Sequence, residues 1–187
     1  MWRTLLIGIL LGVAGCVAPQ PESLDTVAAF EIPLPTASDR TELLTLIRQE
    51  AEADGLQLYA ASDEQLRDVS EAIPDARRTV DATVWRGSEN ALPEVTITDG
   101  ADHPGRAWIT FAKGEDTAQA AQFRERLMRR ILLRWPETIA LPVMPGGTIP
   151  HARHLIRTPS GYKLDPAYAG HYGVTTAAPQ VFHPDSD

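Results

Sequence analysis

Two histidines three residues apart, His151 and His154 in the stretch PGGTIPHARH, have a spacing that suits two metal ligands on one helical turn or in a tight loop, with His171 or His183 as possible thirds. The stretch is bounded by prolines, and no carboxylates or cysteines cluster around it. That is the setting of exposed, unliganded loop histidines, so neither a metal nor another cofactor is expected. Downstream, SGYKLDPAYAGHYG gathers Tyr162, Tyr168 and Tyr172 with Lys163, Asp165 and His171. Such a Gly- and Pro-marked loop can hydrogen-bond a polar ligand or close over a sheet. Ser160 lies in TPSGY, which lacks the G-x-S-x-G elbow of a nucleophilic serine, and the chain has neither a G-x-x-x-x-G-K-[ST] nor a G-x-G-x-x-G phosphate loop. No catalytic constellation emerges, and the expectation is a protein that is not an enzyme.

Two other groups of side chains have the chemistry of surfaces. Trp85 and Trp108 fall on strand faces otherwise rich in threonine. Large aromatics among hydroxyls make a stacking platform for a sugar, a peptide or a flat ligand, so Trp85, Trp108, Tyr162, Tyr168 and Tyr172 form a candidate binding face. The weightier expectation is that the tyrosine-bearing C-terminal segment folds back and covers both indoles. Arg126, Arg129, Arg130 and Arg134 make a basic row on one helix, suited to anionic headgroups or an acidic partner. In a chain with so many carboxylates, the simpler expectation is a solvated face of ion pairs.

The one cysteine, Cys16, follows an N-terminal MWR and the apolar run TLLIGILLGVAG. That run has the length of an export signal and falls short of the roughly 20 residues needed to span a bilayer. Its end, Val13-Ala14-Gly15-Cys16, resembles the lipobox of bacterial lipoproteins, in which small residues precede an obligatory cysteine. The resemblance covers the leader alone. It implies cleavage after Gly15, a diacylglyceryl group on the Cys16 thiol and a commonly acylated new amino group. Two or three acyl chains, at about 0.8 kcal/mol per buried CH₂, hold a protein on a membrane. Val17 stands where an aspartate would be, and in the lipoproteins it resembles that goes with outer-membrane delivery, facing the periplasm. A cell-envelope protein partner is then expected.

Composition narrows the classes further. The 187 residues carry a formal charge of -8, which repels nucleic-acid phosphates on average, and no nucleic-acid partner is expected. Arginine dominates the cations, with lysine only at Lys113 and Lys163, and nothing functional follows from that. With 43% hydrophobic and 22% charged residues, the chain has the makings of one ordinary globular core. A single cysteine leaves no internal disulfide, so stability must come from apolar burial, and a thiol-ligated metal is excluded.

The elements that must position these residues follow from periodicity. Residues 1–15 read as the signal, 16–35 as a lipidated cysteine and Pro-rich tether, 36–174 as one domain and 175–187 as a loose tail. Within the tether, EIPLP at 31–35 has the alternative of an irregular edge segment. SDRTELLTLIRQEAEADG predicts a helix, with Asp39 and Glu42 as capping pair, a stripe of Leu43, Leu46, Ile47 and Ala51, and Gly55 as its stop. LQLYA predicts a strand, and SDEQLRDVSEAIP a short helix with Ser62 and Gln65 as a capping box and Leu66, Val69 and Ile73 as its apolar side. Three alternating runs then predict an antiparallel meander. Val80, Ala82, Val84, Val95, Ile97, Ala107, Ile109 and Phe111 face the helices, and Thr79, Asp81, Thr83, Trp85, Thr96, Thr98, Arg106, Trp108 and Thr110 face away. The last helix starts at Asp116 or Thr117, repeats Phe123, Leu127, Ile131 and Trp135, and stops at Pro136. An edge strand in TIALPVM follows. The order α-β-α-β-β-β-α-β predicts an α+β two-layer sandwich. It consists of two crossover units in one mixed, mostly antiparallel sheet with helices on a single face.

Within this frame the leading functional expectation is a lipid-anchored, non-catalytic binding or assembly protein of the bacterial envelope. The alternative is an envelope small-ligand carrier or hydrolase with its site near the Trp85/Trp108 sheet face.

Overall fold

A computed structural model describes residues 25–72, 79–87, 92–99 and 105–174. Cys16, the leader, the first part of the tether, Ile73, His183 and the tail from 175 lie outside the described residues.

The fold is α+β. Six strands, β1 (Thr26–Pro33), β2 (Leu56–Ala60), β3 (Asp81–Arg86), β4 (Pro93–Asp99), β5 (Arg106–Ala112) and β6 (Ile139–Leu141), form a sheet in the order β2-β3-β4-β5-β1-β6. All five neighbouring pairs are antiparallel. Three helices connect them, α1 (Ala37–Ala53), α2 (Asp63–Ala72) and α3 (Thr117–Arg134). The two expected crossovers exist, β1-α1-β2 and β5-α3-β6. Each joins strands that run the same way but are not neighbours, so the sheet contains no parallel ladder among its described pairs.

One sequence expectation fails outright. Residues 26–35 are not tether: β1 lies between β5 and β6, one position in from the edge. Ala28, Ala29, Glu31, Ile32 and Leu34 are all buried, and the Leu34 amide donates to the Gly105 carbonyl at 2.7 Å. EIPLP is therefore no edge segment either. The reason lies in burial on both faces: TVAAFEI carries a near-continuous apolar run instead of a clean alternation, which is what a strand covered on both sides demands.

The phase of the meander is as expected. Ala82, Val84, Val95, Ile97, Ala107, Ile109 and Phe111 join Ala28, Ile32 and Leu34 in one core with Leu43, Leu46, Ile47 and Ala51 of α1 and Phe123, Leu127, Met128, Ile131 and Trp135 of α3 and its cap. Local chemistry starts each helix. Thr36 caps α1 in a reciprocal box with Asp39, one turn earlier than the Asp39 and Glu42 pair suggested, and that hydroxyl holds the Asp39 carboxyl below its usual range. Ser62 and Gln65 close the expected box before α2, whose Leu66 is buried while Val69 is exposed. Asp116 caps α3 through the amides of Ala118 and Gln119.

Beyond β6 the chain makes elements the helical and meander patterns did not predict. A 3-10 turn, Ala152–His154, leads into a hairpin of β7 (Leu155–Thr158) and β8 (Gly161–Leu164), and a 3-10 segment, Pro166–Tyr172, follows. Ser160 sits in the hairpin turn. Gly161 takes φ 143° there, and a Cβ would meet the Ala140 carbonyl oxygen at 3.2 Å, so the hairpin seats on β6 only through a glycine.

Candidate functional site

The sheet face away from α1 and α3 divides into a covered end and an open end. At the covered end Glu31 lies directly across from Trp108 on one side and Ile139 on the other. Its carboxylate is 0% exposed, which for a charge is tolerable only with a full set of donors. It has them. Arg106 Nη1 donates to Oε1 at 2.6 Å, Trp108 Nε1 to Oε2 at 3.2 Å, and the Tyr162 hydroxyl reaches both oxygens at 3.0 and 3.2 Å. Burial, and then the Glu31 charge, push the Tyr162 phenol up, which keeps it the donor of that bond. β8 thus pins the hairpin to the sheet through one phenol on one carboxylate. Glu31 is shut from solvent, with three donors sharing its two oxygens.

The open end holds a different pair. Trp85, opposite Gln57 in the β2–β3 ladder, stacks on Tyr59 with centroids 6.4 Å apart and planes at 23°. Tyr59 is 47% exposed, while the Trp85 indole Nε1 is buried with no hydrogen-bond partner among the described residues. Trp108 aligns through Thr98 with Asp81, four residues along β3 from Trp85. At about 3.3 Å per residue and 4.8 Å per strand, the Cα atoms of the two tryptophans are about 16 Å apart. The expected shared platform of Trp85 and Trp108 therefore does not exist: Trp108 is committed to Glu31 and Trp85 to Tyr59. The C-terminal segment does fold back to this end of the sheet, where Tyr162 shares Glu31 with Trp108, but Trp108 stays half-buried. Sequence reasoning omitted Tyr59 and Glu31. Tyr59 was visible as the outward residue of LQLYA, but Glu31 gave no signal beyond an acid in an apolar run.

Tyr168 and Tyr172 are not on the tryptophan face either. They close on the histidines. His154 is buried, stacks on Tyr168 at 3.9 Å and 16°, and places Nδ1 2.7 Å from the Tyr172 hydroxyl, which also accepts the His151 amide at 3.0 Å. The His151 and His171 rings lie 5.8 and 5.9 Å from that of His154. His154 is thus not an exposed loop histidine, contrary to the sequence expectation. Its pKa is held down first by burial, then by Arg153, His151 and His171, against a smaller opposing pull from Asp165. Among the described residues no three His, Cys, Asp or Glu side chains are arranged to hold a metal ion.

The arginine row is engaged rather than free. α1 and α3 run antiparallel, and at four-residue steps Arg126 reaches Asp54 and Glu50, Arg130 reaches Glu50 and Gln49, and Arg134 reaches Glu42 and Asp39. Arg129 pairs with Glu125 one turn back. This is the ion-paired face, with the pairing across to α1 supplied by tertiary packing, and the unpaired basic face for headgroups or an acidic partner is corrected.

Compared with known proteins, the chain matches no family model, no curated protein and no solved structure.

Proposed function

We propose that this chain is a lipid-anchored lipoprotein on the periplasmic face of the bacterial outer membrane, with a non-catalytic binding or assembly role in the cell envelope. The observation that carries the reading is the sequence Val13-Ala14-Gly15-Cys16 at the end of the apolar leader. The position of β1 sharpens it. With the sheet starting at Thr26, the tether between anchor and sheet is residues 17–25, not the span to 35. At 3.3–3.6 Å per residue the span from Cys16 to Thr26 reaches at most about 36 Å, so the domain works close to the bilayer surface.

Mass spectrometry of the protein from envelopes tests the anchor. A mature chain beginning at acylated Cys16 is expected, and Cys16→Ala is expected to leave the protein unlipidated. An intact leader with a free Cys16 thiol sinks the proposal. Density separation of the membranes then tests the outer-membrane assignment, and cross-linking in cells with the anchor intact tests the assembly role, a recurrent envelope protein being expected.

A second reading, an envelope carrier of a small ligand, is favoured by the exposed Tyr59 ring stacked beside Trp85. A thermal-shift screen of the lipid-free protein with Tyr59→Ala as control separates it from the first. A ligand that stabilises the native chain but not the variant selects the carrier.

A further inference from the structure

The end of the sheet at which the chain enters also leaves apolar side chains in the open. β1 begins at Thr26, opposite Ala112 at the close of β5. Register carries that end across the sheet: Val95 near the start of β4 faces Phe111, Trp85 near the close of β3 faces Pro93, and Leu56 at the start of β2 faces Arg86. On the other side Leu141, at the close of β6, faces Ala29. The turn 144–147 that follows closes on the entry point, where a Cβ on Gly147 would meet the Thr26 amide nitrogen at 2.5 Å. At the β2–β3 corner of this end Tyr59 and Leu92 are exposed, and Trp85 is half-buried beside them, stacked on Tyr59 and paired with Pro93.

We propose, resting on the reading of Cys16 as the anchor, that the corner formed by Tyr59, Trp85 and Leu92 sits in the headgroup region of the bilayer, so that the strands stand upright on the membrane. Tyrosine and tryptophan suit that layer because each joins an apolar ring to a polar tip. Where the tether ends decides which end of the domain meets lipid. The corner lies four strand spacings from Thr26, about 19 Å, well inside the tether's reach of about 36 Å. The opposite end, where α3 finishes with Arg134 on Glu42 and Asp39, carries Leu132 and Leu133, the latter 81% exposed. It lies a strand length from Thr26, about 26 Å for the eight residues of β1, and bringing it to the bilayer takes up most of that reach. Leu133 is thus the more exposed and the worse placed. The anchor holds the domain at a roughly millimolar local concentration, so a few side chains are enough to orient it. Charge does not drive the contact. Arg86 holds Glu94, Arg126 holds Asp54, and Lys113 shares this end with exposed Asp25, Glu115 and Asp116. The contact is apolar and indifferent to anionic lipid.

The test takes the mature protein, its mass showing an acylated Cys16, into phosphatidylcholine nanodiscs that carry a nitroxide headgroup lipid, with amide NMR as the readout. Strong paramagnetic broadening is expected at Gln57, Trp85 and Leu92 and little at Leu133, with no change when phosphatidylglycerol replaces part of the phosphatidylcholine. The double variant Tyr59→Ser, Leu92→Ser alters two exposed side chains and leaves the core intact. Its broadening at Gln57 and Trp85 is expected to fall toward that of Leu133. Equal broadening at the two ends, stronger broadening at Leu133, dependence on phosphatidylglycerol, or a double variant that broadens like the native protein each overturns the orientation and leaves the anchor standing. A native chain without acyl groups ends the lipoprotein reading itself, and the orientation with it.

Discussion

The two faces of the sheet are stabilised by opposite means. On the helix side the core is apolar and the charges of α1 and α3 lie at its solvent edge, with one buried carboxylate, Glu94, paired with Arg86 at the end of β3. On the capped side a full charge is buried, and the hairpin stays seated because Arg106, Trp108 and Tyr162 all converge on Glu31. The helix side tolerates loss of a charge because water replaces the partner. The capped side does not, because a carboxylate stripped of a donor there has no water to turn to.

That contrast is open to direct attack. Arg106→Ala strips the buried Glu31 of its charged partner and leaves it two neutral donors, and a loss of about 3–5 kcal/mol is expected in denaturant unfolding. A loss below about 1 kcal/mol would mean that Glu31 is hydrated and the contrast is wrong. Tyr162→Phe removes the hydroxyl that joins hairpin to sheet. It should cost about 1.5–3 kcal/mol, the range for a hydrogen bond to a charged group, with increased exchange in Leu155–Leu164 as its local signature. Arg130→Ala, on the other side, should cost only about 0.2–1 kcal/mol and become neutral at high salt, since its partner pair with Glu50 is screened. If Arg130→Ala rivals Tyr162→Phe, the helix-side ladder is a structural device and not an edge decoration.

The pH behaviour of the turn around His154 and of the start of α1 differs as well. His154 has a folded pKa below its unfolded one, so the stability it contributes is complete above the ordinary histidine value and is lost as pH falls through the folded value. The Asp39 carboxyl, also depressed, keeps its contribution to far more acid conditions, because its ordinary value is already near 4. Mild acid therefore acts on the C-terminal segment first and on the start of α1 much later.

How much of this was legible in the chain differs element by element. Phe123, Leu127, Ile131 and Trp135 announced the buried side of α3 because helical periodicity is local, and Asp116 announced its start for the same reason. The meander declared both its strands and their phase, since alternation over five to seven residues has one reading. β1 did not, because a strand buried on both faces has no alternation and its prolines, Pro33 and Pro35, resemble those of a tether. The hairpin was hidden by its shortness: LIRT and GYKL are four residues each, and only the P-S-G turn between them marked a reversal.

By itself, then, the sequence determined what depends on neighbours a few residues away: the α+β class, the caps, the apolar stripes and the antiparallel meander. The tertiary structure alone decided what depends on distant partners. Glu31 meets Arg106 across 75 residues and Tyr162 across 131, and Trp85 and Trp108 lie far apart although both point outward from the same sheet. No local pattern encodes such meetings, because they are set by strand order and register, and those are settled by how whole elements bury their surfaces together.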